Sequence, residues 1–377
     1  MERIRHLGPL TGAIAAVAAA AILASCAPRA ITIGVPIGLT GPASGIGYHG
    51  RNGIELAAAE INAAGGIAGR MIDLRVVDDL ESPEGGLEAA RILAEGGATA
   101  VVGFMSSGAA SLAIDYLSER RLVVLSPTAS SVDFNARDDY FFRLIGSNDN
   151  QGRLLAEEAA ARGYRRAALV YNRTNRSYTV SVLEGFQAEF ERRGGLTVML
   201  DPVAEAAAND YAAVAEEYAA SGADCLVVAA SSFDAGSIAQ ELALRGAKAP
   251  VFAAMWARTP DLFVYGGATV DGAVLVGAAD PVAEDAGPEL SRFAEAYRAR
   301  YGEGPLFSAV FAYEAMRALE AGLRATRGAG GQALKRALLG VRGLPGLQGA
   351  ISFDAFGDVI RPYFLFEARD GRFERLR

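Results

Sequence analysis

Two histidines and two cysteines are all that this 377-residue chain carries. His6 and Cys26 fall in an N-terminal segment considered next, which leaves His49 and Cys225 to the body of the chain. A structural zinc takes several His or Cys ligands, and a serine relay takes a histidine backed by an acid. Metal-centred and triad chemistry would therefore hang on His49 alone, and it stands among glycines, where a surface loop residue is expected. Cys225 lies in the apolar run Asp224-Cys225-Leu226-Val227-Val228-Ala229 and reads as a buried strand residue with no disulfide partner. Charge is sparse too, at 21% of residues, and its net value is −8. An acidic balance argues against nucleic acid as a partner. What is abundant is apolar side chain, 51% of residues, ample for folding, in a chain long enough for two domains. No low-complexity tract and no strong internal repeat interrupts it.

The N-terminus is set aside before the fold is considered. Arg3 and Arg5 precede an apolar, alanine-rich run over 10–23 that ends in small residues, the pattern of a secretory signal. The run is shorter than the roughly 20 apolar residues of a spanning helix. Leu23-Ala24-Ser25-Cys26 resembles the lipobox of bacterial lipoproteins, in which the cysteine is lipidated and becomes the first mature residue. The alternative is an ordinary signal peptide with an incidental cysteine; small residues directly before Cys26 and the Ala27-Pro28-Arg29 linker after it favour the lipobox. The expectation is a signal peptide over 1–25, a lipid on Cys26 holding the chain to a membrane, and a linker over 26–30. Residues 26–377 keep 34 basic and 43 acidic side chains.

From residue 31 onward strands and helices alternate. Short β-branched or aromatic runs predict strands over 31–35, 71–77, 99–103, 122–126 and 140–145, with helices over 53–63, 83–96 and 108–120 between them. The rhythm restarts after 150, with helices over 151–162, 178–193, 211–221 and 234–245 and strands over 166–171, 196–200, 224–230 and 250–254. Such alternation implies an α/β protein with parallel sheets. The last hundred residues break the rhythm: strands over 271–277, 350–353 and 363–367 and helices over 287–301 and 307–326 suggest a chain that returns to each half.

Two motifs bear on chemistry. Gly45-Ile46-Gly47-Tyr48-His49-Gly50 has the G-x-G-x-x-G spacing of a dinucleotide loop, but about ten residues separate it from the strand before it, and Asp78 comes some thirty later. Glycines that let a loop turn and approach something closely are the better account, and no cofactor is expected. Gly103-Phe104-Met105-Ser106-Ser107-Gly108 leaves a strand and opens a helix, where unpaired N–H groups and hydroxyls suit a carboxylate; simple N-capping by Ser107 is the alternative. Ser126-Pro127-Thr128-Ala129-Ser130 ends a second strand in the same way. Ligands of open α/β sheets bind at that edge.

These residues resemble the periplasmic branched-chain amino acid type solute-binding proteins of ABC transporters. The resemblance is carried by Gly41-Pro42, Gly53-Ile54-Glu55-Leu56-Ala57, Glu60 to Gly69, Val102-Gly103 with Ser106-Ser107, and Ser126 to Ser130. Asn175-Arg176-Ser177-Tyr178 and Tyr301-Gly302-Glu303-Gly304-Pro305 add weaker support. It implies two Rossmann-like lobes with parallel central sheets joined by three hinge crossings, a type I periplasmic binding protein, with lobes over 31–147 plus 277–344 and 148–276 plus 345–377. It implies a carboxylate held by Ser107, Thr128 and Ser130 and covered by Tyr178, with Ser106 at the same helix opening as a further ligand-binding residue. An acid is expected after the strand over 250–254 to hold an ammonium, and Met255-Trp256 stand there instead. Either Asp234, beside Ser231, takes that place or the ligand is no simple α-amino acid; Trp256 either stacks on the ligand or packs in the core. The implied function is capture of a small carboxylate-bearing solute, an amino acid or a related amide or organic acid, by a monomer that serves an ABC permease and is not an enzyme. A ligand-sensing receptor of the same fold is the alternative, and a hydrolase the remote one.

Overall fold

The computed structural model describes residues 29–40, 44–203, 210–280 and 287–376. The expected signal segment, Cys26 and the Gly41-Pro42 pair lie outside the described residues. Among the described residues no helix is long and apolar enough to cross a membrane.

The first lobe begins with β1 (Ile31–Ile37), α1 (Ser44–Ala63), β2 (Ile72–Asp78), α2 (Pro83–Glu95), β3 (Ala100–Val102), α3 (Ser107–Glu119), β4 (Val124–Ser126) and β5 (Phe141–Arg143). Its strands form a parallel sheet in the order β2-β1-β3-β4-β5. Ile31, Ile33, Val35 and Ile37 are fully buried, because helices cover both faces of a parallel sheet. The second lobe repeats the scheme with α4 (Asp149–Ala161), β6 (Arg166–Tyr171), α5 (Arg176–Arg192), β7 (Leu196–Met199), α6 (Tyr211–Ser221), β8 (Cys225–Ala229), α7 (Ser232–Leu244), β9 (Val251–Ala253), α8 (Asp261–Gly266) and β10 (Val274–Gly277). Cys225 is buried in β8, and burial beside Asp224 pushes its thiol up to about 12.

The chain then returns. α9 (Pro288–Tyr301), α10 (Phe307–Ala325) and α11 (Gly331–Leu339) follow, with α9 and α10 against α1, and the hairpin β11 (Leu344–Gly346) and β12 (Gly349–Ile351) rests on α10. A last crossing brings β13 (Phe364–Arg369) antiparallel to β10, with β14 (Arg372–Arg375) on the edge, so the second sheet runs β14-β13-β10-β9-β8-β6-β7. Its core is parallel and its late-added edge is not. The short elements α8, α11, β11 and β14 escape the sequence pattern because each has too few residues for a period to register.

Gly45 to Gly50, expected as a loop, form the opening turns of α1. The glycines serve close approach, as expected, but inside a helix: a Cβ on Gly47 would stand 1.7 Å from the carbonyl oxygen of Gly38. His49 is accordingly no surface loop residue. It is 8% exposed, its Nδ1 lies 2.7 Å from the Tyr297 hydroxyl, its ring stacks on Tyr297, and burial lowers its pKa.

The crossings are tied together by Arg143, only 2% exposed at the end of β5. Its Nε donates to Asp358 Oδ1 at 2.6 Å, Nη1 to the Ser131 carbonyl at 2.9 Å, and Nη2 to Asn135 Oδ1. Its backbone N–H donates to the Gly357 carbonyl at 3.1 Å, and a few residues on the Tyr363 hydroxyl donates to the Gly146 carbonyl at 2.6 Å. Removing one partner of a buried, hydrogen-bonded ion pair costs about 3–5 kcal/mol. Arg143→Ala is expected to lose that much in urea unfolding followed by circular dichroism; a loss below about 1 kcal/mol would show that the crossings are held by something else.

Candidate functional site

In the first sheet β2 and β3 flank β1, and in the second β7 and β8 flank β6. Each arrangement reverses strand order at its central strand and opens a crevice at the carboxyl ends. The two crevices face one another across a cleft of about 550 Å³, including its mouth. Met105, Ser106, Ser107 and Thr128 line it from the first lobe, and Asn175, Tyr178, Met255 and Trp256 from the second.

The first wall is built by the turn after β3. Phe104 takes a left-handed φ of 60° and its N–H donates to the Pro36 carbonyl at 2.9 Å, which swings the chain sharply into α3. Ser106, not Ser107, is the N-cap, accepting from the Ala109 N–H at 3.1 Å. Ser107 Oγ accepts from the N–H groups of Ser130 and Ser131 at 3.0 and 3.1 Å. Both serines thus use their oxygens as acceptors inside the protein and keep a hydroxyl hydrogen to offer. Thr128 is the reverse: its hydroxyl donates to the Met105 carbonyl at 2.7 Å, leaving an acceptor oxygen.

The second wall is a neutral polar network under an aromatic surface. Tyr178 donates to Gln151 Oε1 at 2.8 Å, the same oxygen accepts from Met255 N–H at 3.2 Å, and Trp256 N–H donates to the Tyr178 hydroxyl at 3.4 Å. Burial drives the Tyr178 pKa well above the usual phenol value, so the ring stays neutral. Trp256 meets Tyr178 edge-on at 6.3 Å between centroids and is only half-buried, on the cleft wall rather than in the core.

Of the residues singled out from sequence, Ser106, Ser107, Thr128, Tyr178 and Trp256 are brought together here. Ser130 is fully buried, its backbone held by Ser107. Ser231 caps α7 and lines a smaller adjoining recess with Trp256. Asp234 does not take the place of the missing acid. It is 2% exposed, closes the capping box of α7, and accepts from Asn172 Nδ2 at 2.9 Å, the Tyr211 hydroxyl at 2.6 Å and the Ser231 hydroxyl at 2.8 Å. A carboxylate so engaged is a structural one.

The acid that does line the cleft is Glu81, which the sequence patterns did not mark. It ends a turn in which Leu80 and Glu81 both have left-handed φ, 53° and 52°. Two carboxylates hold that turn: Asp78 Oδ1 accepts from Leu39 and Leu80 N–H at 3.1 and 3.0 Å, and Asp79 Oδ1 accepts from Glu81 N–H at 3.0 Å. Gly38 makes room for it, since a Cβ there would lie 2.3 Å from Glu81 Cγ. Asp79 is 1% exposed with Oδ2 unpartnered, and burial pushes its pKa up to about 7 against the pull of the Glu81 N–H. The signal available in sequence was the acid-rich run Asp78-Asp79-Leu80-Glu81 directly after a strand. Among the described residues no group of three or more His, Cys, Asp or Glu could hold a metal ion.

Comparison with known proteins agrees with this fold. A family model described as periplasmic binding protein matches residues 30–372. The chain is 28% identical over 357 residues to Leu/Ile/Val-binding protein homolog 3 of Brucella melitensis, covering 93% of this chain and 94% of that one. Among solved structures, a leucine binding protein from Thermotoga maritima superposes with a TM-score of 0.84 at 20% identity, over 92% of this chain and 98% of that one. An ABC transporter substrate-binding protein from Desulfitobacterium hafniense in complex with Leu gives a TM-score of 0.72 at 26% identity, over 93% and 100%.

The Asp79 shift sets a pH dependence. An acid whose folded pKa lies above its unfolded value opposes folding once ionised; the penalty is absent below the unfolded value of 3.8, grows between there and about 7, and is complete above. The interval corresponds to a penalty on the order of 4 kcal/mol at most. Asp79→Asn keeps the Oδ1 acceptor and is expected to stabilise the protein at pH 8 much more than at pH 5 in urea melts. An equal effect at both pH values would place the titration elsewhere.

Proposed function

This chain belongs to the periplasmic binding protein family, and on that premise we propose that it is the extracytoplasmic solute-capturing component of an ABC importer. Its ligand is a small carboxylate-bearing solute, an amino acid or related amide or organic acid, enclosed between the lobes by hinge closure. The observation that carries this reading is the pair of serine hydroxyls, Ser106 and Ser107, set with open hydrogens at the N-terminus of α3 on the cleft wall. Donors at a helix N-terminus suit a carboxylate. Thr128 adds an oxygen, and Tyr178 and Trp256 form the apolar cover. Ser231 serves the adjoining recess, and Ser130 holds its loop in place through its backbone. A binder needs no general base, and His49 is engaged with Tyr297 away from these hydroxyls.

The sequence divides the lobes as 31–147 plus 277–344 and 148–276 plus 345–377; the hairpin on α10 and the Asp358 contact to Arg143 support moving the last boundary from 345 to beyond Asp358. Contacts across the cleft support a closed state: Gly108 N–H donates to Asn175 Oδ1 at 2.9 Å, and the Ser177 hydroxyl to Asp133 Oδ2 at 2.8 Å. In this reading the protein is a monomer, exported under a signal over 1–25, tethered by a lipid on Cys26 with 26–30 as linker, and docked when closed on a membrane permease. A sensor of the same fold would share all of this but the permease.

A thermal-shift screen over amino acids, amides, short carboxylates and aromatic acids is expected to find one class that stabilises the protein 1:1 without being turned over; turnover, or silence across the screen, would sink the reading. Ser107→Ala removes the hydroxyl donor and is expected to weaken that ligand roughly tenfold or more by calorimetry; unchanged affinity would dismiss the carboxylate assignment. Closure is tested by Gly108→Leu, because a Cβ there already lies 3.2 Å from Asn175 Oδ1 and the Thr174 carbonyl. The longer side chain is expected to prop the lobes apart, abolishing the ligand-induced decrease in radius of gyration in small-angle scattering. A normal decrease would show that the lobes do not meet there in the bound state.

A further inference from the structure

We propose that the solute is elongated and carries a second carboxylate at its far end, and that Arg258 receives that group. The inference rests on the solute-capture reading above and extends it from the head group to the far end of the ligand. Arg258 follows Trp256 by two residues and is only 8% exposed, although it bears a full charge. Its Nη2 donates to the Ala279 carbonyl, and the Phe366 ring covers one face of the guanidinium, 4.1 Å from ring centroid to Cζ. Nε has no hydrogen-bond partner. Asp280, the one acid whose charge reaches the group, makes no hydrogen bond or ion pair with it among the described residues, and burial lowers the Arg258 pKa to about 10. One carbonyl and one aromatic face do not replace the water that a buried guanidinium gives up, and an arginine so placed calls for an oxyanion.

The place of Arg258 relative to the cleft gives that oxyanion a source. The guanidinium lines a groove of about 1640 Å³, mouth included, that runs between the lobes beside the cleft. A recess of about 250 Å³ stands between the two: it shares Ile46 and Trp256 with the cleft, and Gly45, Asp261 and Leu306 with the groove. Ser231, Ser232 and Thr259 line the recess, each less than a tenth exposed. Ser231 is engaged with Asp234, but the buried Thr259 hydroxyl has no partner. Buried polar atoms without partners are few in any protein. Here two stand on consecutive residues, Arg258 and Thr259, where the wall of the recess meets that of the groove.

The other charges of the groove decide between a free ion and a tethered one. Arg51, its second guanidinium, is paired with Glu55 at 3.5 Å. Asp261 and Glu303 are exposed and keep their water, and Asp280 is half-buried. Three carboxylates around one free guanidinium disfavour an inorganic anion arriving alone. A carboxylate tethered to a head group already held in the cleft arrives at high effective concentration, which offsets that repulsion. Between the two ends the lining is apolar, with Ile46, Trp256 and Leu306 along the recess. Hydroxyl donors at α3, an apolar middle and a guanidinium at the far end match a carboxylate, a methylene chain and a second carboxylate.

The test uses the mature protein with two series of probes in calorimetry, the straight-chain diacids from succinate to azelate and the monoacids from butyrate to nonanoate. At least one diacid is expected to bind roughly ten- to hundredfold tighter than the monoacid of the same chain length, the range of one charged hydrogen bond. Arg258→Gln is expected to erase that advantage. Diacids no tighter than their monoacids at every length overturn the proposal and leave solute capture intact. So does an Arg258→Gln loss that is equal for both. Silence from both series overturns the far-carboxylate assignment, while capture itself falls only if the wider screen is silent too. If Arg258→Gln fails to fold, Thr259→Val takes its place, since exchanging an unpaired buried hydroxyl for a methyl group spares the fold. It is expected to weaken the diacid severalfold more than the monoacid, and an equal effect on both overturns the proposal.

Discussion

Taking a guanidinium out of water costs several kcal/mol unless acceptors meet it on every side, and the junction of the lobes does this to Arg143. Asp358, the Ser131 carbonyl and Asn135 surround it. Ser131 and Asn135 lie within a dozen residues of Arg143 but Asp358 lies 215 away, so the set is complete only when the last crossing has returned. It fixes the end of β5 against residues 357 and 358. Tyr363 on Gly146 adds one more tie between them. Under the proposed closure, this fixed end is the pivot of the second lobe.

Where the cleft lies follows from topology. Both sheets reverse strand order at their first strand, so both crevices lie at carboxyl ends, and the crossings turn them face to face. The side chains are then set by local rules. Ser106 lines the cleft as the N-cap, and Ser107, itself buried, is held in the same wall by the Ser130 and Ser131 amides. Tyr178 is placed by a network through Gln151 that also carries the Met255 and Trp256 amides. Each hydrogen bond of that network restrains the aromatic wall, which reduces the side-chain entropy it can lose on binding.

Legibility in the sequence divides along the range of the interactions involved. Strands such as Arg166–Tyr171 and helices such as Tyr211–Ser221 were readable to the residue, because burial on both faces and caps like Asp210 and Gly222 are local facts. The hydroxyl loops were readable for the same reason. Gly45 to Gly50 were misread as a loop: local propensity puts glycine in turns, but here the carbonyl of Gly38 approaches the helix too closely for a side chain. Asp234 and Glu81 look alike as single acids in a sequence. What separates them is the capping box of α7, which takes Asp234, and the gap at Gly38 that the Glu81 side chain fills, a contact spanning some forty residues that no spacing rule reveals.

The two walls of the cleft are chemically unlike. The first carries hydroxyls at the opening of α3, and the second carries Tyr178, Met255 and Trp256, groups without charge to desolvate. Covering such an apolar wall is favoured by roughly 25 cal/mol per Å² removed from water, and the Gly108 to Asn175 and Ser177 to Asp133 hydrogen bonds join the lobes beside it. Contact between the lobes is thus supported by groups that lie on the protein itself, at the edge of the cleft.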